Sequence, residues 1–215
     1  MPIVLGLTAC AHSYYYLPEI DGEGAIHGKK GGIVYAIPSQ AHADFVVRVR
    51  SLGVKKTHNV QLLGMRLSFG PPEGAAPGSA GVKATVDPAE LMVRLGGGKE
   101  IKPAYVHSKT KKQSIVEVDS RAHDVVELLY PLPAESEGAA TVFSYYFEWT
   151  VHYGQGKFVH QTARFDRYDA RPQQAAELFP EDSDYPYDVS PMDMNGWHVV
   201  REPFWWAVDP WWPWW

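Results

Sequence analysis

The sequence of 215 residues predicts an all-β protein, a β-sandwich of short antiparallel strands, on three observations. Between Phe143 and Tyr153 every second residue is aromatic or β-branched, which is the period of a strand with one buried face. Glycine and proline clusters separate segments of this kind at short intervals, as they do in sandwiches. No segment has a convincing 3.6-residue period of an amphipathic helix, although Gln173–Phe179 is long enough for one or two helical turns.

The first ten residues form an apolar run that ends in the only cysteine of the chain, Cys10. The segment Leu7-Thr8-Ala9-Cys10 resembles the lipobox of bacterial lipoproteins, where small residues before the cysteine admit the signal peptidase. The resemblance covers these four residues and implies a diacylglycerol anchor on Cys10, through which the protein would be held to a membrane. In that class Ala11, following the cysteine in place of an aspartate, would suit the outer membrane.

This run is too short to span a bilayer, which takes about 20 apolar residues. It also lacks the basic start of a complete signal peptide, so residues 1–10 would be a truncated signal with the true start codon upstream. A different interpretation stays open, in which the run is a short buried strand and Cys10 is a small core residue.

Residues 11–42 are predicted to be a polar tether with one strand, at Gly32–Ile37. Five glycines lie between Gly22 and Gly32, and glycine at this density favours loop. The tether would separate a lipidated Cys10 from the folded domain.

Residues 43–169 are predicted to form the sandwich domain. The segments Asp44–Arg50 and Leu63–Phe69 alternate apolar and polar side chains, and Gly53 and Gly70 are predicted to end them. Shorter strands are predicted at Val82–Val86, Leu91–Leu95, Lys99–Val106, Ile115–Val118 and Val125–Tyr130.

Two of these shorter strands form a hairpin. The turn Gly96-Gly97-Gly98 is predicted to join Leu91–Leu95 to Lys99–Val106, where Pro103 confines the second strand to an edge or an early end. Residues 141–168 carry the strongest signal and are predicted to form a longer hairpin, with its turn at Gly154–Gly156 and Trp149 in the core.

Eight or so strands over residues 32–168 would suit an immunoglobulin-like sandwich. The resemblance is architectural, because the chain lacks the two cysteines that flank a tryptophan in true immunoglobulin domains.

The charge distribution argues against a nucleic-acid partner. Residues 1–170 carry 18 Lys and Arg against 17 Asp and Glu, whereas residues 171–215 carry two against eight. Binding to phosphates needs a basic face. The one dense basic run, Lys109, Lys111 and Lys112, is predicted to be a solvated loop or hairpin tip.

No catalytic or metal-binding motif is present. The nine histidines form no HExxH motif or compact cluster, and Glu148 and His152 would stand about 13 Å apart on one strand. The residues Asp119-Ser120 and His123-Asp124 are predicted to be a polar turn. The carboxylate pairs in loops are Glu135 with Glu137 and Asp182 with Asp184. The sequence therefore predicts a protein that is not an enzyme and holds no cofactor.

Residues 170–215 are predicted to be an acidic extension rich in proline and aromatic residues. Seven of the eight tryptophans lie here, and the last six form a predicted binding surface: Trp205, Trp206, Trp211, Trp212, Trp214 and Trp215. Burying one indole removes about 200 Å² from water, so something should cover these rings. The sequence leaves three alternatives for this cover: the sandwich itself, a bilayer interface, and a protein or glycan partner.

These features together predict a non-catalytic lipoprotein of the cell envelope with a structural or binding role. One alternative is a soluble module that binds a glycan, a cell-wall polymer or a protein through aromatic side chains. Tyr145 and Trp149 are candidate contacts for it, although their parity favours the core. A second alternative is a metal-binding protein that uses the scattered histidines.

Overall fold

Strands dominate the part of the chain that the computed structural model describes, which comprises residues 15–19, 25–27, 33–38, 45–57, 60–71, 81–108, 115–133, 142–168 and 197–199. Single-turn 3-10 helices occur at Pro88–Glu90 and Ser120–Ala122. The strands in these ranges are β1 (Tyr15–Pro18), β2 (Ala25–His27), β3 (Ile33–Pro38), β4 (Val46–Thr57), β5 (Val60–Gly70), β6 (Lys83–Val86), β7 (Met92–Leu95), β8 (Glu100–Ile101), β9 (Tyr105–Ser108), β10 (Val116–Asp119), β11 (Val125–Pro131), β12 (Ser144–Tyr153), β13 (Lys157–Tyr168) and β14 (Trp197–Val199).

The strands form two antiparallel sheets. The first sheet has the order β14-β9-β11-β5-β4-β3-β2. In the second sheet β1 pairs with β13 and β13 with β12, and the other edge of β12 is shared between β7 and β6. β8 continues the second sheet beyond β7, and β10 continues it beyond β6. The prediction of an all-β protein is confirmed.

Aromatic side chains fill the space between the sheets. On β12 the residues Tyr145, Phe147, Trp149 and Val151 are fully buried, because their common parity faces the core. The rings of Phe147 and Trp149 stack at 5.4 Å, and Tyr130 of the first sheet contacts the ring of Phe147 edge-on. The predicted burial is therefore confirmed from Tyr145 to Val151, with Trp149 in the core, whereas Phe143, which precedes β12, is 65% exposed.

Gly53 does not end its strand, contrary to the prediction. β4 runs on to Thr57, and its register with β5 shifts between Ser51 and Gly53, where the φ of Gly53 is 77°. Gly64 of β5 lies opposite Gly53. A Cβ on Gly64 would lie only 2.9 Å from the Cβ of Leu52. The two glycines thus allow a bulge in a continuous hairpin, and a bulge interrupts the pairing without terminating it.

The predicted single strand Lys99–Val106 is two strands in different sheets. β8 pairs with β7 in the second sheet, whereas β9 pairs with β11 in the first. Pro103 lies between them and has no N–H to donate to a ladder. The next residue, Ala104, donates its N–H to the carbonyl of Leu129 at 2.8 Å. The chain therefore crosses between the sheets at this proline.

The described residues of the segment predicted to be a tether with one strand form three strands. β3 agrees with the predicted strand, β2 extends the first sheet beyond it, and β1 pairs with β13 in the second sheet. Tyr16 of β1 is buried, its ring lies 5.1 Å from that of Tyr145, and its hydroxyl donates to the carbonyl of Val142 at 3.0 Å. β1 and β2 are too short for a readable period, so only their pairing defines them.

Candidate functional site

The outer face of the second sheet is the side of β12 and β13 that points away from the core. Among the side chains that the structure describes on this face, Tyr146 and Phe158 are large exposed rings, 41% and 62% exposed. Phe158 pairs with His152, six residues along β12 from Tyr146. At about 3.3 Å per residue the two rings mark the ends of a track about 20 Å long. Polar side chains occupy the strand positions between them.

Charged groups at the Tyr146 end of this track are largely paired with one another. Arg94 of β7 lies opposite Tyr146 and binds the carboxylates of Glu148 at 2.6 Å and of Glu100 at 3.5 Å. On the other side, Arg164 binds Asp166 at 3.0 Å, and the charge of that carboxylate raises the pKa of the arginine. The surface around Tyr146 is therefore polar but locally close to neutral.

A depression of about 580 Å³ lies at the Phe158 end, next to His152 and Lys157. Its polar lining includes Lys83, Thr85, Glu117, Asp119, His152 and Lys157. The Nε2 of His152 lies 2.6 Å from a carboxylate oxygen of Glu90, and the imidazole ring lies 6.1 Å from the ring of Phe158. The depression therefore places hydrogen-bonding groups beside Phe158, at the end of the track.

Residues 119–124 form the polar turn that the sequence predicts. Asp119 caps the 3-10 helix by accepting from the N–H of Arg121 at 2.8 Å. The Oγ of Ser120 accepts from the N–H of Val82 at 3.0 Å, and Asp124 accepts from the N–H of Asp119 at 2.8 Å. Because these side-chain oxygens accept hydrogen bonds from backbone N–H groups of the turn, the serine and the carboxylates stabilise its conformation.

In the register of the long hairpin, His152 and His160 are not directly opposite each other. His152 pairs with Phe158, whereas His160 pairs with Thr150 and bonds to its hydroxyl at 3.0 Å. Glu148 binds Arg94, while His152 binds Glu90. Within the described ranges no three His, Cys, Asp or Glu side chains are grouped so that they could hold a metal ion.

The sequence does not predict an ionic cluster around the buried Glu127 on the outer side of the first sheet. The side chain of Glu127 is 7% exposed and accepts from Nε of Arg66 at 2.8 Å, while Nδ1 of His107 lies 3.1 Å from its other oxygen. Both partners lie directly opposite Glu127 on neighbouring strands. Alternation along each strand puts Glu127, Arg66 and His107 on the side away from the core. The sequence does not show, however, which of these strands are neighbours.

The other sequence-predicted site residues divide into two groups. Tyr145 and Trp149, considered as ligand contacts, are fully buried in the core, so that hypothesis is wrong for both. The rest lie outside the described residues: Cys10, the lysines at 109, 111 and 112, the carboxylates at 135, 137, 182 and 184, and Trp205, Trp206, Trp211, Trp212, Trp214 and Trp215.

Comparison of the chain with protein families, with curated proteins and with solved structures finds no match. In the portion of the chain that the structure describes, no helix has the length and apolar character needed to cross a bilayer. The site therefore has to be interpreted from its own chemistry.

Proposed function

We propose that this protein is a non-catalytic lipoprotein of the cell envelope whose β-sandwich binds a polymer on the outer face of its second sheet. The observation that carries the proposal is the pair of exposed rings, Tyr146 and Phe158, at the two ends of a polar track about 20 Å long. Large aromatic side chains are costly to leave in water, and they bind well once a ligand covers them.

A glycan or cell-wall polymer is the ligand class that fits this track best. The flat faces of Tyr146 and Phe158 suit the apolar faces of sugar rings, and the side chains between them can exchange hydrogen bonds with hydroxyl groups. Because Arg94 is paired with Glu148, and Arg164 with Asp166, the face offers little uncompensated charge to an ionic partner. A protein partner is the alternative occupant of the same face.

The strand order supports the proposal of an immunoglobulin-like sandwich. The central strands of the first sheet run β4-β5-β11-β9, and those of the second run β8-β7-β12-β13. In chain order these are the positions A-B-E-D and C′-C-F-G of that fold. The chain departs from immunoglobulin domains in that its core tryptophan, Trp149, lies on the strand in the F position, and in that β6 and β10 are additional.

Binding of insoluble glycans tests the ligand proposal. Purified protein is incubated with peptidoglycan, chitin and cellulose, and the free fraction is measured as a function of glycan mass. We expect the double variant Tyr146→Ala with Phe158→Ala to bind at least tenfold more weakly to a glycan that the unmodified protein retains. Ile115→Ala is the matched control, because it also removes an exposed apolar side chain. Equal retention of the double variant and the control contradicts the proposed face, and no retention on any of the three contradicts the glycan class.

The lipid anchor on Cys10 has its own test. The gene is expressed with its native upstream region in the presence of a palmitate analogue, and label is sought on the protein. We expect label on the unmodified protein and none on Cys10→Ala. Equal labelling of the two, or none on either, contradicts the anchor and leaves the binding face to be judged separately.

The tail tryptophans are the alternative seat of ligand binding that the sequence predicts. A chain truncated after Pro203 lacks all six of them. If the face of the second sheet binds the ligand, the truncated chain keeps its affinity while Tyr146→Ala loses affinity. The opposite pattern assigns binding to the tail.

A further inference from the structure

Three buried leucines lie on the outer side of the first sheet, and we call them the outer leucine cluster: Leu52, Leu62 and Leu129. They are 3%, 5% and 2% exposed. Their neighbours along the strands belong to the core: Leu63 follows Leu62 in β5, and Leu128 and Tyr130 flank Leu129 in β11. Because side chains alternate along a strand, Leu62 and Leu129 point away from the core.

Leu52 belongs to the same side of the sheet. A Cβ on Gly64, whose neighbours in β5 face the core, would meet the side chain of Leu52. Gly64 pairs with Leu129 on one side and with Gly53 on the other, so it lies between Leu129 and the bulge that carries Leu52. The three leucines therefore form one patch and are not part of the core between the sheets.

The two sheets do not account for the burial of this patch. Every described strand pairs within one of the sheets, so no described strand is left to form a layer outside the first. A leucine on the bare face of a sheet keeps part of its surface in water. Burial of all three to within a few per cent requires a further apolar segment across them.

The described strand nearest the C-terminus, β14, lies in the same sheet as this patch. In β14, Trp197 pairs with His107 and Val199 with Tyr105. Tyr105 pairs in turn with Leu129, and Leu129 pairs with Gly64. The last residue of β14 thus lies in the same cross-strand row as the outer leucine cluster.

β14 runs from the ionic end of the outer face of the first sheet toward its apolar end. The strand arrives beside His107, where the buried Glu127 and Arg66 form the ionic end of the face. It leaves beside Tyr105, at the apolar end. The chain that follows, residues 200–215, holds only three charged residues and six tryptophans. The segment that follows β14 is therefore the most aromatic part of the sequence.

The remaining chain is long enough to cover the patch. Four strand spacings of about 4.8 Å separate β14 from β4, a distance of about 19 Å. Sixteen residues follow Val199, and the first tail tryptophan, Trp205, is six residues beyond it. Six extended residues reach about 20 Å, and the full segment reaches further.

We infer that residues 200–215 lie across the outer face of the first sheet and cover the outer leucine cluster with their tryptophan side chains. The inference does not rest on the proposed function, because it concerns the opposite face of the sandwich. It assigns the tail to this chain's own sheet and not to a bilayer or a second molecule. Burial also raises the pKa of Tyr105, beside the patch, to about 12, as expected under an apolar cover.

Acrylamide quenching of tryptophan fluorescence tests the inference. The contribution of the tail is obtained by subtracting the signal of a chain truncated after Pro203, in which Trp149 and Trp197 remain. We expect the tail tryptophans of the full chain to be quenched several-fold less than free N-acetyltryptophanamide. The truncated chain should bind the dye ANS, since the leucines would then be exposed.

Substitutions in the sheet establish what the tail contacts. We expect the double variant Leu62→Ser with Leu129→Ser to raise quenching of the tail to the value of the free indole while circular dichroism stays that of a folded β-protein. Ile115→Ser, an exposed apolar residue elsewhere, is the matched control and should leave quenching unchanged. If the double variant does not fold, Leu62→Ser alone gives the same comparison with a smaller effect.

Three results would overturn the inference. The first is free quenching of the tail in the folded full chain. The second is protection that appears only when phosphatidylcholine vesicles are added, which assigns the tail to a bilayer. The third is protection that is lost on dilution, which assigns it to a second copy of the chain. Binding to glycans through Tyr146 is unaffected by each of these results, so the failure of one proposal is distinguishable from the failure of the other.

Discussion

The hydroxyl of Tyr145 in β12 donates a hydrogen bond of 2.7 Å to the Oγ of Ser51 in β4, across the core from one sheet to the other. The same Ser51 oxygen accepts from the N–H of Gly53 at 3.2 Å, inside the bulge of β4. The Sδ of Met65 lies 3.2 Å from the Tyr145 hydroxyl. A single buried phenol therefore connects the irregular part of the first sheet to the centre of the second.

Replacing Tyr145 with phenylalanine should lower the free energy of unfolding by about 1 kcal/mol. The ring keeps its place, but the hydrogen bond to Ser51 is lost in a site that water does not reach. Tyr146→Phe is the control, because its hydroxyl is on the exposed side of the same strand. Urea unfolding measures both. Equal midpoints for the two variants would mean that the cross-sheet bond does not contribute to stability.

Glu127→Gln should destabilise the fold by about 2 kcal/mol, since hydrogen bonds to a charged group are worth about 1.5–3 kcal/mol. The carboxylate of Glu127 is buried and bonds to Arg66 and His107. Glu100→Gln is the control and should change stability by less than about 0.5 kcal/mol, because Glu100 is an exposed partner of Arg94 at 3.5 Å. Thermal or urea unfolding at pH 7 distinguishes the two. A loss of the same size in both variants would contradict the role given to burial.

Tyr105 should make the stability of the protein fall with rising pH above pH 10. Burial raises the pKa of its hydroxyl from 10.0 to about 12, so the folded state keeps a proton that the unfolded chain loses. The contribution is complete below pH 10 and disappears as the pH rises through 12. We expect Tyr105→Phe to show a shallower decline of unfolding free energy between these values. Parallel declines for the variant and the unmodified protein would contradict the burial of this hydroxyl.

Gly97→Ala should cost about 1 kcal/mol, whereas Gly96→Ala should have little effect on stability. Gly97 has a φ of 89°, a region that a side chain makes unfavourable, and it lies in the turn between β7 and β8. Gly96 belongs to the same turn without a positive φ, and a Cβ there meets nothing within 4 Å. Unfolding midpoints of the two variants provide the comparison. A larger loss for Gly96→Ala would reverse the assignment of strain in this turn.

The local pattern of the sequence determined the strands whose side chains alternate over many residues. The aromatic parity of β12, the burial of Trp149, and the glycine turns at residues 96–98 and 154–156 were all predicted, because a strand with one buried face has a period of two whatever it packs against.

Tertiary structure alone decided which strands are neighbours and where the chain changes sheet. Gly53 was expected to end a strand, and only the room left by Gly64 shows that it allows a bulge. The division at Pro103 depends on β9 finding β11 in the other sheet. Strand pairing is made between residues distant in sequence, and no local pattern encodes it. For the same reason, only the folded chain shows that Glu127 lies opposite its ionic partners, and that the outer leucine cluster shares a cross-strand row with β14.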